Sequence, residues 1–296
     1  MTAPSGAVYD RGYRPYDGER GGRGAARGAL WRVSVRRALG LRRAWRQKVF
    51  PWSLLVIATI PAIVNVGVGF ISRDTPVEDF EFFTFRDYVG VSTALLLFVA
   101  LTAPDVVCPD RRQRVLPLIF ARPLTGSDYV IAKVGAIAAI VFGFAFLPQV
   151  VLFIGQMFVS ADGALDYFTD NAEVLWQVPV AVALLAVYYA AVGVALAATT
   201  TRRVVGAVAV LTLLLVTSTI AGIAVDVDDD GSSAWALVNV LAIPLHLRDL
   251  VFLGHVDPDG SLAGVASGGA AAVAVYCVVL AGSIGYLLHR YREIDS

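Results

Sequence analysis

Six long apolar runs, over about 50–72, 88–107, 134–159, 174–198, 204–225 and 264–288, leave this chain little choice of fold. Each is long enough to cross the hydrocarbon core of a bilayer, which takes roughly 20 helical residues. Within a bilayer the backbone must satisfy its own hydrogen bonds, and a helix does so inside one segment. The basic residues are sorted around the runs. All of the 24 Lys and Arg except Arg73, Arg86 and Arg248 fall in the N-terminal region, the 105–133 loop, the 199–203 turn or the C-terminal tail. Lys and Arg hold short loops on the cytoplasmic side. The expected architecture is an all-α membrane protein with six transmembrane helices and both ends in the cytoplasm.

Composition agrees with that reading. The chain is 57% hydrophobic with a mean hydropathy of +0.68, above the roughly 45–50% apolar content of a soluble domain. Its formal net charge of zero hides an asymmetry, since 16 of the 24 acidic residues lie in the segments expected outside, Asp226, Asp228, Asp229 and Asp230 among them. Neither Cys108 nor Cys277 reaches an external loop, so a structural disulfide is not expected. Twelve Lys and Arg precede the first run and no small-residue cleavage site follows it, a pattern unlike a cleaved signal peptide.

Three units follow: a tail with a basic interfacial helix over 1–49, the six-helix domain over 50–288, and a short tail over 289–296. Residues 1–28 are rich in Gly and Arg and cannot bury a core. In 29–49, Trp31, Val35, Leu39, Trp45 and Val49 share one helical face while Arg32, Arg36 and Arg43 point elsewhere, as in an elbow helix lying on the inner surface. Pro51 is expected to open the first span, where a missing amide hydrogen is tolerated. Asn65, Gln149 and Gln156 are amide side chains within the spans, the two glutamines seven residues apart on one face. They are candidates to line a translocation path, or to bond one helix to another. The stretch 235–254 is nearly apolar enough for a seventh span. Pro244, His246, Arg248 and Asp249 in its second half make that costly, and two short re-entrant helices broken at Pro244 are expected instead.

Several motifs fail. Asp226-Val-Asp228-Asp-Asp230-Gly231 copies the start of a calcium loop, but its twelfth position is Leu237, where a bidentate Glu is needed. His246 and His255 have no partners at metal-ligand spacing. No GxxxxGK[ST] occurs, so no P-loop binds ATP here. The cores of the six runs hold no Asp, Glu, Lys, Arg or His, so they carry no proton relay and no buried catalytic group.

The 105–133 loop is different. Val115, Leu116, Leu118, Ile119 and Phe120 form an apolar knob flanked by Arg111, Arg112, Arg114 and Arg122. Pro123 stops that element, and Thr125 with Asp128 three residues on has the spacing of a capping box. An apolar knob with a charged rim suits a docking site on a partner protein.

The residues Asp110-Arg111-Arg112, Leu116-Pro-Leu118, Arg122-Pro123-Leu124, Asp128-Tyr129 and Lys133 resemble the loop between spans two and three of ABC-2 type permeases, the membrane subunits of one class of ATP-binding-cassette transporter. The N-terminal Tyr13-Arg-Pro-Tyr16-Asp-Gly18-Glu-Arg20 is similar to the start of many bacterial members. The resemblance implies a coupling helix at about Arg111–Phe120, with Arg111, Arg112, Leu116, Leu118, Phe120, Arg122 and Pro123 facing a separate ATPase. It also implies two permease chains, alike or different, and two ATPase chains that bind ATP and Mg, with no cofactor in this chain. The bacterial inner membrane is the implied location, and no nucleic acid is implied as partner. The function so expected is that of a permease subunit of an exporter, not an enzyme. The residues leave two alternatives open. One is a membrane enzyme acting on lipids, using His246, Arg248, Asp249 and His255. The other is a non-transporting membrane anchor or sensor.

Overall fold

The computed structural model describes residues 21–41, 45–72, 83–89, 93–121, 123–160, 163–228 and 233–295. Among them the chain is helical throughout, with no strand. The first helix, α1 (Arg23–Ala38), starts earlier and stops sooner than the periodicity suggested. It ends in a Schellman turn: Leu41 N–H donates to Arg36 O at 2.8 Å and Gly40 N–H to Arg37 O at 3.1 Å. Gly40 sits at φ 65°, the left-handed position that such a turn requires and that glycine alone adopts without cost. Trp45, Lys48 and Val49 therefore belong not to the interfacial helix but to the next one, α2 (Trp45–Ser72). Pro51 lies inside α2 rather than at its start.

The rest of the order is α3 (Phe85–Tyr88), α4 (Thr93–Arg112), α5 (Leu116–Phe120), α6 (Gly126–Val159), α7 (Ala164–Asp170), α8 (Val174–Ala197), α9 (Arg203–Val227), α10 (Ile243–Leu253) and α11 (Gly268–Asp295). Six helical stretches are long and apolar enough to cross a membrane: Pro51–Ile71 of α2, a second carried mainly by α4, Gly126–Val159, Val174–Ala197, Arg203–Val227 and Gly268–Arg292. They mark a multi-pass membrane protein. Each coincides with one of the six apolar runs.

Among the described residues between α9 and α11 no helix is long and apolar enough for a seventh span. A 3-10 turn (Ala234–Val238), capped by Ser233, leads into α10. Pro244 occupies the first turn of α10, where its missing N–H is one of the unpaired amides at any helix start. It thus begins the second short helix instead of breaking a longer one.

The core lies around α8, which packs on α4, α6, α9, α10 and α11. Its small residues bring the neighbours close: a Cβ on Gly193 would lie 3.2 Å from that of Ala103. Two tyrosines bond across the bundle to backbone oxygens, Tyr189 to Leu241 at 2.7 Å and Tyr276 to Leu184 at 3.0 Å. By contrast α2, α9 and α11 leave apolar faces exposed, with Ile63, Val208 and Val278 among them. An apolar bilayer accepts such faces without penalty. One end of the bundle, the basic end, carries α1, α5 and the α8–α9 turn. The opposite end carries α3, α7 and α10.

Candidate functional site

The basic end is built from the capping box outward. Thr125 Oγ1 accepts from Asp128 N–H at 3.4 Å, and Asp128 Oδ2 accepts from Thr125 N–H at 3.1 Å, so α6 starts where the spacing placed it. Arg23 of α1 donates through Nε to Asp128 Oδ2 at 2.6 Å and through Nη2 to Thr125 Oγ1 at 2.9 Å. The interfacial helix is thereby tied to the N-terminus of α6, where a carboxylate also complements the helix dipole.

One turn deeper, Asp110 is a hub. It is 4% exposed, and it receives Lys133 Nζ at 2.6 Å, Arg37 Nη1 at 2.6 Å and Tyr129 O–H at 3.2 Å. Lys133 also donates to Val106 O at 3.2 Å. Three elements, α1, α4 and α6, meet on one carboxylate. Asp110 and Lys133 stand in the sequence motif, but their pairing is not legible from it. A lysine at the entrance of an apolar run is the available signal, since a charge there needs a partner.

This hub fixes the segment that carries the coupling-loop residues. Arg111 does not sit on an outer rim: its guanidinium donates to Ala198 O and to Thr200 O at 3.3 Å, where the last carbonyls of α8 lack helical partners. Arg203, at the start of α9, pairs with Asp105 at 2.5 Å. The α8–α9 turn and the end of α4 are thus stitched together. In α5, Leu116 is buried and packs into the chain's own core, and Phe120 is half-buried, edge-on to Tyr129 at 6.1 Å between ring centroids. The knob is therefore partly spent inside the chain, because α5 lies against α11 and the first turns of α6. Leu118 alone of its large side chains is openly presented, at 72% exposure. Arg112, Arg114 and Pro123 are exposed around it. Arg122 lies outside the described residues.

The three span amides sit in different surroundings. Asn65 is buried and donates to Phe83 O at 3.0 Å. Gln156 accepts from Tyr167 O–H at 2.7 Å, joining α6 to α7. Gln149 is 2% exposed with neither amide atom hydrogen-bonded, beside an apolar cavity of about 140 Å³ edged by Phe85, Phe153 and Pro179.

At the opposite end the polar group is self-paired. Arg86 of α3 donates through Nε to Asp249 Oδ1 at 3.0 Å and through Nη2 to Asp257 Oδ2. Arg248 holds Asp249 at 2.7 Å and Val89 O at 3.0 Å. These contacts lock α3 against α10. His246 lies beside them with Nε2 buried and unbonded, and burial pushes its pKa below the ordinary histidine value; Asp249 opposes the shift and Arg248 adds to it. His255 is exposed, with Nδ1 2.8 Å from Val256 O.

No family model, no curated protein and no solved structure matches the chain.

Proposed function

We propose that this chain is the membrane-spanning permease subunit of an ATP-binding-cassette exporter, driven by a separate ATPase. The observation that carries this reading is the state of α5. One side of the short helix is fixed to the bundle through Leu116, Phe120 and the neighbouring Arg111, while Leu118 stands free among exposed Arg112 and Arg114. A rigid element with one presented apolar side chain in a cationic surround suits a groove on a partner with an acidic rim. Force applied at Leu118 passes through Arg111 to the α8–α9 turn and through Asp110 to α1 and α6. On this reading the basic end faces the cytoplasm of a bacterial inner membrane, in keeping with the bias of Lys and Arg.

ATP and Mg then belong to the partner, two copies of which serve two permease chains. Asn65 and Gln156 are engaged within one chain, so the translocation path is assigned to the boundary between two copies, along spans that keep exposed faces. The test is purification of the tagged chain from its native membranes in mild detergent. The expected result is co-purification of an ATPase bearing Walker A and signature motifs in equal amount. Recovery of the chain without any such subunit would count against the reading.

A further inference from the structure

Between α1, α2 and α6, the basic end holds an apolar slot of about 340 Å³. Trp31 and Val35 of α1, with Leu39 at its C-cap, form one wall, a set spaced by four residues and so one helical stripe. Trp52 and Leu55 of α2 form the second. On α6 the floor runs from Ala139 through Gly143 to Leu147, about 12 Å of helix at 1.5 Å per residue. The slot is thus long and narrow, lies along the spans, and opens to the bilayer past Trp52 and Leu147, which are 49% and 50% exposed.

Cations stand beside two of its walls along the chain. Arg32 and Arg36 follow Trp31 and Val35 by one residue and lie off the face of that stripe. Lys48 stands one turn before Trp52 on the same face of α2. Arg32 makes only a 3.3 Å contact to Gly28 O, and none of the three is in an ion pair among the described residues. Nor does α1 carry any acidic residue in its first turn.

We infer that this slot is a binding site for an anionic phospholipid of the leaflet at the basic end, with one acyl chain along α6 and the phosphate held by Arg32, Arg36 and Lys48. The elongated shape fits a chain. The unpaired cations beside the α1 and α2 walls suit a single negative headgroup, and tryptophan rings are favoured at headgroup level. The site belongs to one chain and does not rest on the transport reading.

Trp31 and Trp52 report occupancy directly. The full chain, with Trp45, Trp176 and Trp235 changed to Phe, is placed in nanodiscs of phosphatidylcholine containing a small fraction of dibromo-phosphatidylglycerol or of dibromo-phosphatidylcholine. Brominated acyl chains quench a tryptophan they touch. Preferential quenching by the glycerol lipid is expected, by at least about fivefold in relative affinity, the effect of roughly one surface cation on an anionic lipid. Arg32→Gln, Arg36→Gln and Lys48→Gln together should bring that preference to about one. Gly143→Leu, at a position with open space around its missing Cβ, should fill the slot and reduce quenching by either lipid without unfolding the bundle. Equal quenching by both lipids in the parent protein, an unchanged preference in the triple variant, or undiminished quenching in Gly143→Leu would each overturn the assignment. Absence of quenching by either lipid in the parent protein, as when a segment of this chain or a second copy fills the slot, would overturn it too.

Discussion

Lys133 and Asp110 form a 2.6 Å ion pair with both side chains almost wholly buried, at 3% and 6% exposure. The pair joins α6 to α4, and Arg37 brings α1 to the same carboxylate. Removing one member of a buried pair leaves the other charge uncompensated, at a cost of about 3–5 kcal/mol. Asp110→Leu should fall in that range, because Lys133 then keeps Val106 O and the face of Tyr129 but no anion. Lys133→Met should cost less, since Asp110 retains Arg37 and Tyr129. The double variant should be more stable than the sum of the single losses. Thermal unfolding in detergent gives the order.

The capping box offers a milder perturbation. Thr125→Ala removes the cap on α6 and an acceptor for Arg23, and should cost about 1 kcal/mol of stability. If α1 is held through this corner, hydrogen exchange in α1 should quicken in the same variant. Unchanged exchange there would show that the remaining contacts, Arg23 on Asp128, Arg37 on Asp110 and the packing of α1 on α6, hold the helix without the cap.

How much was legible in the sequence follows from which forces act locally. The spans and the Thr125 start of α6 were readable because apolar length and cap spacing are local quantities. Gly40 was in plain view, but the pattern of Trp31, Val35, Leu39, Trp45 and Val49 continues past it in a projection that ignores backbone handedness. The apolar knob is only partly legible, for another reason. Hydropathy says that Leu116 and Phe120 must be buried; only the folded chain says by what, and here Tyr129 and the chain's own core supply much of it. The Asp110 hub unites residues of three helices, and no spacing along the chain encodes such a meeting.

Gln149 is a buried amide without partners, beside an apolar cavity. An apolar side chain of similar size removes the cost of an unmade hydrogen bond, so Gln149→Leu should raise stability by about 1–2 kcal/mol. A rise in unfolding temperature with export intact is expected. Loss of export at normal stability would instead return Gln149 to the translocation path.

His246 sets a pH dependence at the opposite end. Its buried ring favours the neutral form, so its folded pKa lies below the ordinary 6.5. Above that value both folded and unfolded histidine are neutral and the full stability is present. As the pH falls through 6.5 the unfolded chain takes up the proton first, and stability drops until the folded pKa is passed. Unfolding temperatures measured between pH 8 and 5 should show this loss in the parent and less of it in His246→Phe. Parallel curves would assign the loss to other groups.

The transport reading turns most directly on Leu118. A surface change of this kind alters stability little, whereas a central interface side chain is worth roughly 2 kcal/mol or more, about a 30-fold change in affinity. Titration of the purified ATPase against the reconstituted permease should therefore show at least about 30-fold weaker binding to Leu118→Ser. The variant's unfolding temperature should stay at the parent's value, and substrate-stimulated ATP hydrolysis should be lost. Undiminished ATPase affinity and stimulation in that variant would contradict the assignment of α5 as the coupling element.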